Sequence, residues 1–261
     1  MRSWWQALQR ARRARLLEQR GIPEPLWRLT LARFRFLATL DPADQAALRE
    51  LCTLFLAEKE FHGVGGLVVN DDMAVAIAAQ ACLPVLHLGL EWYSGFKGIV
   101  VHADAVVARR EVVDESGVVH EYDEELSGEA MDGGPVMLSW QDVESSAESA
   151  EWGYNVVIHE FAHVLDMRDG VADGVPALPD REARKAWEHT LTVEYDALCR
   201  AVDAGDDTLI DPYGAESPGE FFAVAAESFF TMPNDLKAEH PVLYDLLAGF
   251  FRQDPAQREP P

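Results

Sequence analysis

The chain has 261 residues, 48% of them apolar, which is enough for a substantial core, and a formal net charge of −23 that argues against nonspecific nucleic-acid binding. No apolar run approaches the roughly eighteen residues of a membrane span, and the start lacks the apolar centre of a signal peptide. Cys52, Cys82 and Cys199 are odd in number and widely spaced, which fits reduced thiols in a cytoplasm better than a disulfide framework or a cysteine metal site.

In chain order, helical periodicity predicts helices over Trp4 to Arg20, Pro25 to Leu37 and Pro42 to Glu58, with Asp41-Pro42 as a start signal. Residues 1 to 36 hold nine Arg against two acids, so the other 225 residues carry −30. An arginine-rich helix lying on its own acidic body is the expected arrangement. Short strands are expected at Gly66 to Val69, Val85 to Leu88, Gly98 to His102 and Val136 to Trp140. The last of these, preceded by Pro135, reads as a core strand, the commoner case, or as a strand edge to which a peptide could pair. The acidic stretch from Asp114 to Glu125 has no motif character. Helices then dominate, an α+β pattern, and no repeat or linker divides the chain. Residues 1–261 are therefore expected to form one domain, with a helical N-terminal segment over 1–60 packed on it.

The stretch Tyr154 to Met167 places Val157, Phe161, Val164 and Leu165 at helical spacing, with Ser145, Ser146 and Ser149 as cap candidates and Asp169-Gly170 as a stop. Inside it, His159-Glu160-Phe161-Ala162-His163 is an H-E-x-x-H. Residues four apart lie one turn above each other, so both imidazoles can reach one ion while Glu160 stands beside it as a base. A satisfied core pair would be expected to have an apolar residue in place of Glu160, because a buried unpaired carboxylate is costly. His62, His87, His102, His120 and His240 stand alone and read as ordinary surface or core residues.

Catalytic zinc usually takes three protein ligands and keeps one position open. Asp169 falls where the metzincin spacing would put the third, although Asp166 replaces the glycine of that pattern. A second source is the apolar helix read from Ser217 to Phe230, in which Glu220 and Glu227 are seven apart and share a face. Ser217-x-x-Glu220 is also a capping box, which would occupy Glu220 but leave Glu227 without a partner.

The run Val157 to Met167, then Trp187-Glu188-His189, Asp211-Pro212-Tyr213 and Glu220-Phe221-Phe222-Ala223-Val224 with Glu227, resembles the Mlc titration factor A family of zinc peptidases. Leu83-Pro84-Val85-Leu86, Gly128-Glu129-Ala130 and Gly134 to Trp140 extend the likeness over most of the chain. The resemblance implies a zincin-like fold with a small mixed sheet and a gluzincin site similar in design to the anthrax lethal factor protease. It implies one Zn2+ per chain on His159, His163 and Glu220, with Glu160 as base. Both families place a tyrosine seven residues before the ligand Glu, the position of Tyr213, which makes Tyr213 a candidate oxyanion donor. Asp166 and Glu227 are candidates for fixing the histidine tautomers. A peptide or protein substrate, aminopeptidase action, and binding of the Mlc glucose-responsive repressor are implied in the same way.

Overall fold

The structure is a computed structural model that describes residues 2–104, 106–113, 119–126, 128–130 and 133–258. The first third is helical, as its periodicity predicts: α1 (Arg2–Arg20), α2 (Glu24–Arg33), a single turn α3 (Arg35–Ala38) and α4 (Pro42–Glu58). The predicted helix over 25–37 breaks at Phe34, whose backbone (φ −107°, ψ 87°) leaves the helix so that its ring is fully buried. Asp41 caps α4 by accepting the N–H groups of Ala43 and Asp44 at 2.8 Å each. α1 lies along α4, and Arg13 approaches Glu50 at 3.6 Å, the arrangement expected of a basic helix on an acidic body.

Four strands form a mixed sheet in the order β1-β2-β6-β5: β1 (Glu60–Gly63), β2 (Gly98–His102), β5 (Gly128–Ala130) and β6 (Val136–Ser139). β1, β2 and β6 run parallel, whereas β5 pairs antiparallel with β6, Glu129 opposite Met137. Parallel neighbours need a crossover, and α5 (Asp71–Cys82), capped by Asn70, provides it between β1 and β2. β3 (Val106–Val113) and β4 (Val119–Leu126) pair as a separate antiparallel hairpin. The acidic stretch lies partly outside the described residues, at 114–118.

Two strand expectations are corrected, and the two readings of a third are resolved. Residues 66–69 follow a turn made by Gly65 and Gly66 at positive φ and leave Val68 exposed. Residues 85–88 are tight turns, closed by Gly89 N–H donating to the Val85 carbonyl at 2.8 Å. The strand at 136–139 is the core strand of its two readings, because β2 and β5 take both its sides; the edges of the sheet are β1 and β5.

The sheet is followed by α6 (Trp140–Ser149), α7 (Val156–Asp166), α8 (Arg181–Ala204), α9 (Pro218–Thr231), α10 (Pro233–Glu239) and α11 (Pro241–Phe251). Buried apolar side chains form one continuous set from Ile22 to Phe251. Within it Phe161 of α7 meets Tyr93, Phe55 and Phe96 at ring distances of 5.0, 5.8 and 5.8 Å. Burying that one ring stabilises the fold by about 2–3 kcal/mol, and it fixes the rotation of α7 about its axis. α9 is oriented by four rings instead of one: Phe221, Phe222, Phe229 and Phe230 are all buried, leaving Glu220 only partly covered on the remaining face.

Candidate metal centre

α7 begins at Asn155, whose Oδ1 accepts the Ile158 N–H at 2.9 Å; the serines of α6 do not cap it. α9 begins at Ser217, whose hydroxyl accepts the Glu220 N–H at 3.1 Å. The capping box is therefore half formed. The serine caps the helix, but the Glu220 carboxylate turns to the histidines.

Three atoms converge between the two helices. His159 Nε2 lies 3.1 Å from Glu220 Oε2, His163 Nε2 lies 3.2 Å from the same oxygen, and the two Nε2 atoms are 3.1 Å apart. His159 Nδ1 stands 2.7 Å from Glu227 Oε1, so Nδ1 donates to that carboxylate and Nε2 turns its lone pair to the cluster. Two ring nitrogens and a carboxylate oxygen brought this close repel unless a cation sits among them. A tetrahedral ion with bonds of about 2.0–2.1 Å sets its donors about 3.3 Å apart, which the observed triangle matches closely. The group fits a metal of the zinc type by donor set and spacing. Asp169 is elsewhere, ion-paired with Arg184 at 3.2 Å, and does not join the cluster.

Burial works to raise the Glu220 carboxyl; positive charge on the facing groups, here protonated His159 and His163 in place of a cation, outweighs it and holds the group well below the usual carboxylate range. Glu160 behaves in the reverse way. It is 5% exposed, its Oε2 is buried with no hydrogen-bond partner, and burial pushes its pKa up to about 7. Gly128 of the edge strand explains the fit, since a Cβ there would stand 2.5 Å from Glu160 Oε1. Only a glycine lets the strand backbone approach the carboxylate so closely.

Glu227 is 1% exposed and accepts the Asn155 N–H through Oε2, while Asn155 Nδ2 donates to Gln80 Oε1 at 2.7 Å. A chain of polar contacts thus runs from α5 through the α7 cap and α9 to His159. Sequence reasoning names Glu227 but misses Asn155 and Gln80; the polar Gln80 amid the apolar run of α5 is the available signal. Asp166 does not hold His163. Its Oδ2 accepts the Gly174 N–H at 2.8 Å and its Oδ1 has no partner, while burial pushes its pKa up to about 7. Gly174, at φ 77°, also receives Trp187 Nε1 on its carbonyl at 2.8 Å, and a Cβ on it would strike the Pro218 carbonyl. This turn ties the end of α7 to α8 and to the start of α9.

The cluster opens into a cleft of about 320 Å³ walled by Gly128, Glu129 and Ala130 on one side and Tyr213, Glu216 and Gly219 on the other. Tyr213 is 42% exposed, and its ring lies 6.1 Å from that of His159. His189 is exposed on α8, away from the cleft, whereas its neighbour Trp187 is buried. All three cysteines are free. No helix among the described residues is long and apolar enough to cross a membrane.

Comparison with known proteins gives a match to the family model described as glucose-regulated metallo-peptidase M90 over residues 8–252. The chain is 38% identical over 245 residues to an uncharacterized protein of Synechocystis, slr2042, covering 93% of this chain and 89% of that protein. It is 36% identical over 244 residues to Mlc titration factor A of Klebsiella pneumoniae, covering 92% and 91% of the two. For Mlc titration factor A of Salmonella arizonae the identity is 36% over 236 residues, covering 89% and 92%.

Proposed function

Since the chain belongs to the glucose-regulated metallo-peptidase M90 family, we propose that it is a zinc-dependent peptidase in which His159, His163 and Glu220 hold the ion and Glu160 is the general base. The observation that carries this reading is the convergence of the three donor atoms beside a buried carboxylate with an unpartnered oxygen. An ion held by His159, His163 and Glu220 would supply Lewis acidity that lowers the pKa of a water in the cleft. Glu160, raised to about 7, takes the proton at its free oxygen and returns it to the departing amine. The Tyr213 phenol at the cleft wall donates to the oxygen on which negative charge develops. β5, the edge strand that lines the cleft, offers backbone groups to an extended substrate, and Glu129 and Glu216 line the cleft with carboxylates suited to an α-ammonium group, which favours aminopeptidase action.

Residues 1–261 would act as one peptidase domain, a reading supported by the continuous buried set from Ile22 to Phe251. The free cysteines suit a reducing compartment such as the cytoplasm.

The test is Glu160→Gln in purified protein. Cleavage of a peptide library should fall by about 10²–10⁴-fold while metal content stays at the wild-type level. Turnover that is unchanged would sink the mechanism. A second reading is favoured by the relatives named for titrating Mlc: binding of a repressor of that kind, with cleavage secondary. Repressor binding would survive Glu160→Gln, and peptide cleavage would not.

A further inference from the structure

A second concavity lies where α8, α11 and the residues after α7 meet, with a volume of about 520 Å³, the size of a small-molecule site. Its walls are apolar and rigid. Trp187 is held by its bond to the Gly174 carbonyl, and Phe250 meets Trp187 and Trp92 edge-on at 5.3 and 5.5 Å. Leu178 and Leu246 complete the lining.

Small residues keep the space open. Ala183 and Ala186 face it from α8 and Gly249 from α11. A Cβ added to Gly249 would meet nothing within 4 Å, so packing does not require glycine there, and glycine is among the poorest helix formers. The empty volume is what its presence preserves.

The mouth is charged. Arg168 and Arg252 border it together with Asp245, and among the described residues no carboxylate comes within 4.0 Å of either guanidinium. Arg168 lies over the Trp92 ring at 4.8 Å and donates to the Glu91 carbonyl, contacts that fix its position without neutralising it. Arg252 follows α11 at φ 55°, a left-handed conformation that glycine adopts more easily. The backbone there does not call for an arginine, and the side chain reaches the mouth, where Nη1 donates to the His87 carbonyl at 3.5 Å.

We propose that this pocket binds a small apolar carboxylate, with its hydrocarbon or ring between Trp92, Trp187 and Phe250 and its carboxylate on Arg168 and Arg252. The site is separate from the metal centre, and the inference does not rest on the peptidase reading. An apolar body meets an aromatic lining, and two guanidiniums against the single Asp245 carboxylate, neither of them ion-paired among the described residues, select the negative head.

Decanoate, 1-decanol and decylamine, titrated calorimetrically into the full-length protein as purified, test the proposal. Decanoate should bind once per chain and at least about tenfold more tightly than the alcohol, and the amine should bind more weakly still. Arg252→Gly should weaken decanoate about tenfold without loss of fold by circular dichroism, because the backbone there suits glycine. Gly249→Leu should abolish binding by filling the space, and Glu220→Ala at the metal centre should leave it unchanged. Equal affinity for acid and alcohol, no binding of decanoate, or full binding by Arg252→Gly or Gly249→Leu would each overturn the assignment.

Discussion

The aromatic cluster around Phe161 adjoins two buried charged neighbourhoods that are built on different plans. On one, the Lys59 ammonium donates to the Tyr93 and Phe96 carbonyls and lies 3.8 Å from the centre of the Phe96 ring. Everything a buried lysine needs is supplied locally, by backbone and ring, as expected of a group that serves packing. On the other, Glu160 and Asp166 are buried with one oxygen each unpartnered, and His159, His163 and Glu220 press like donors together. The contrast separates a structural charge met by its local partners from a cluster whose donors are spaced to hold a cation. Unpartnered buried atoms also occur away from the site, at Arg33, Asp72, His102 and Arg258, so what marks the second neighbourhood is the unpartnered Glu160 oxygen standing beside converging donors.

The largest break in this comparison should come from Glu220→Ala, which removes one of three donors. Metal affinity is expected to fall by two to three orders of magnitude, about 3–4 kcal/mol, while Asp169→Ala stays near wild type in a competition assay with a chelating dye. The reverse order would move the site to the metzincin spacing. Glu227→Gln leaves the donors in place but weakens the grip on His159, and a loss of about 10–100-fold in metal affinity is expected by the same assay. Lys59→Met probes the other neighbourhood. It strands two carbonyls at a cost of about 2 kcal/mol in urea unfolding, with metal content unchanged, and a coupled loss of metal would show that the two regions are not independent.

The smallest effect is on pH. Burial holds the Lys59 pKa down to about 8 against an ordinary 10.5, so between these values the folded chain has released a proton that the unfolded chain still binds. Lys59 therefore contributes stability that rises with pH across that window, by about 1–2 kcal/mol once solvent screening of the ammonium is allowed for. That contribution should vanish in Lys59→Met. Two groups oppose it, because burial pushes the Cys82 thiol and the Tyr93 phenol well above their ordinary values of 9.0 and 10.0 and the unfolded chain loses those protons first, so the net rise is steepest below about pH 9.

How much of the fold is legible in the sequence depends on how local the cause is. α4, β2 and α9 match their expected spans because caps and periodicity lie within each segment. α5 escapes a reading of periodicity for a physical reason: from Val75 to Cys82 every side chain is buried, so no polar face alternates with an apolar one. β1 and β5, with four and three residues, are too short to carry a pattern and depend on their partners in the sheet. In the site, the H-E-x-x-H and the glutamates of α9 are visible as spacing and as charge on an apolar helix. The link from Asn155 to Gln80 spans 75 residues and leaves no local trace. Asp166 is equally suited to His163 by sequence, and only the Gly174 turn, eight residues on, claims it.

The meeting of His159 with Glu220 has a mechanical side as well. The two residues are 61 apart in the chain, and an ion gripping both would act as a removable crosslink across the intervening loop. By the loop-closure relation such a link restricts the unfolded chain by about 4 kcal/mol, comparable to a disulfide over the same span. The catalyst and the clasp would then be one object, and the metal supply that switches the chemistry on would also set how long the fold survives.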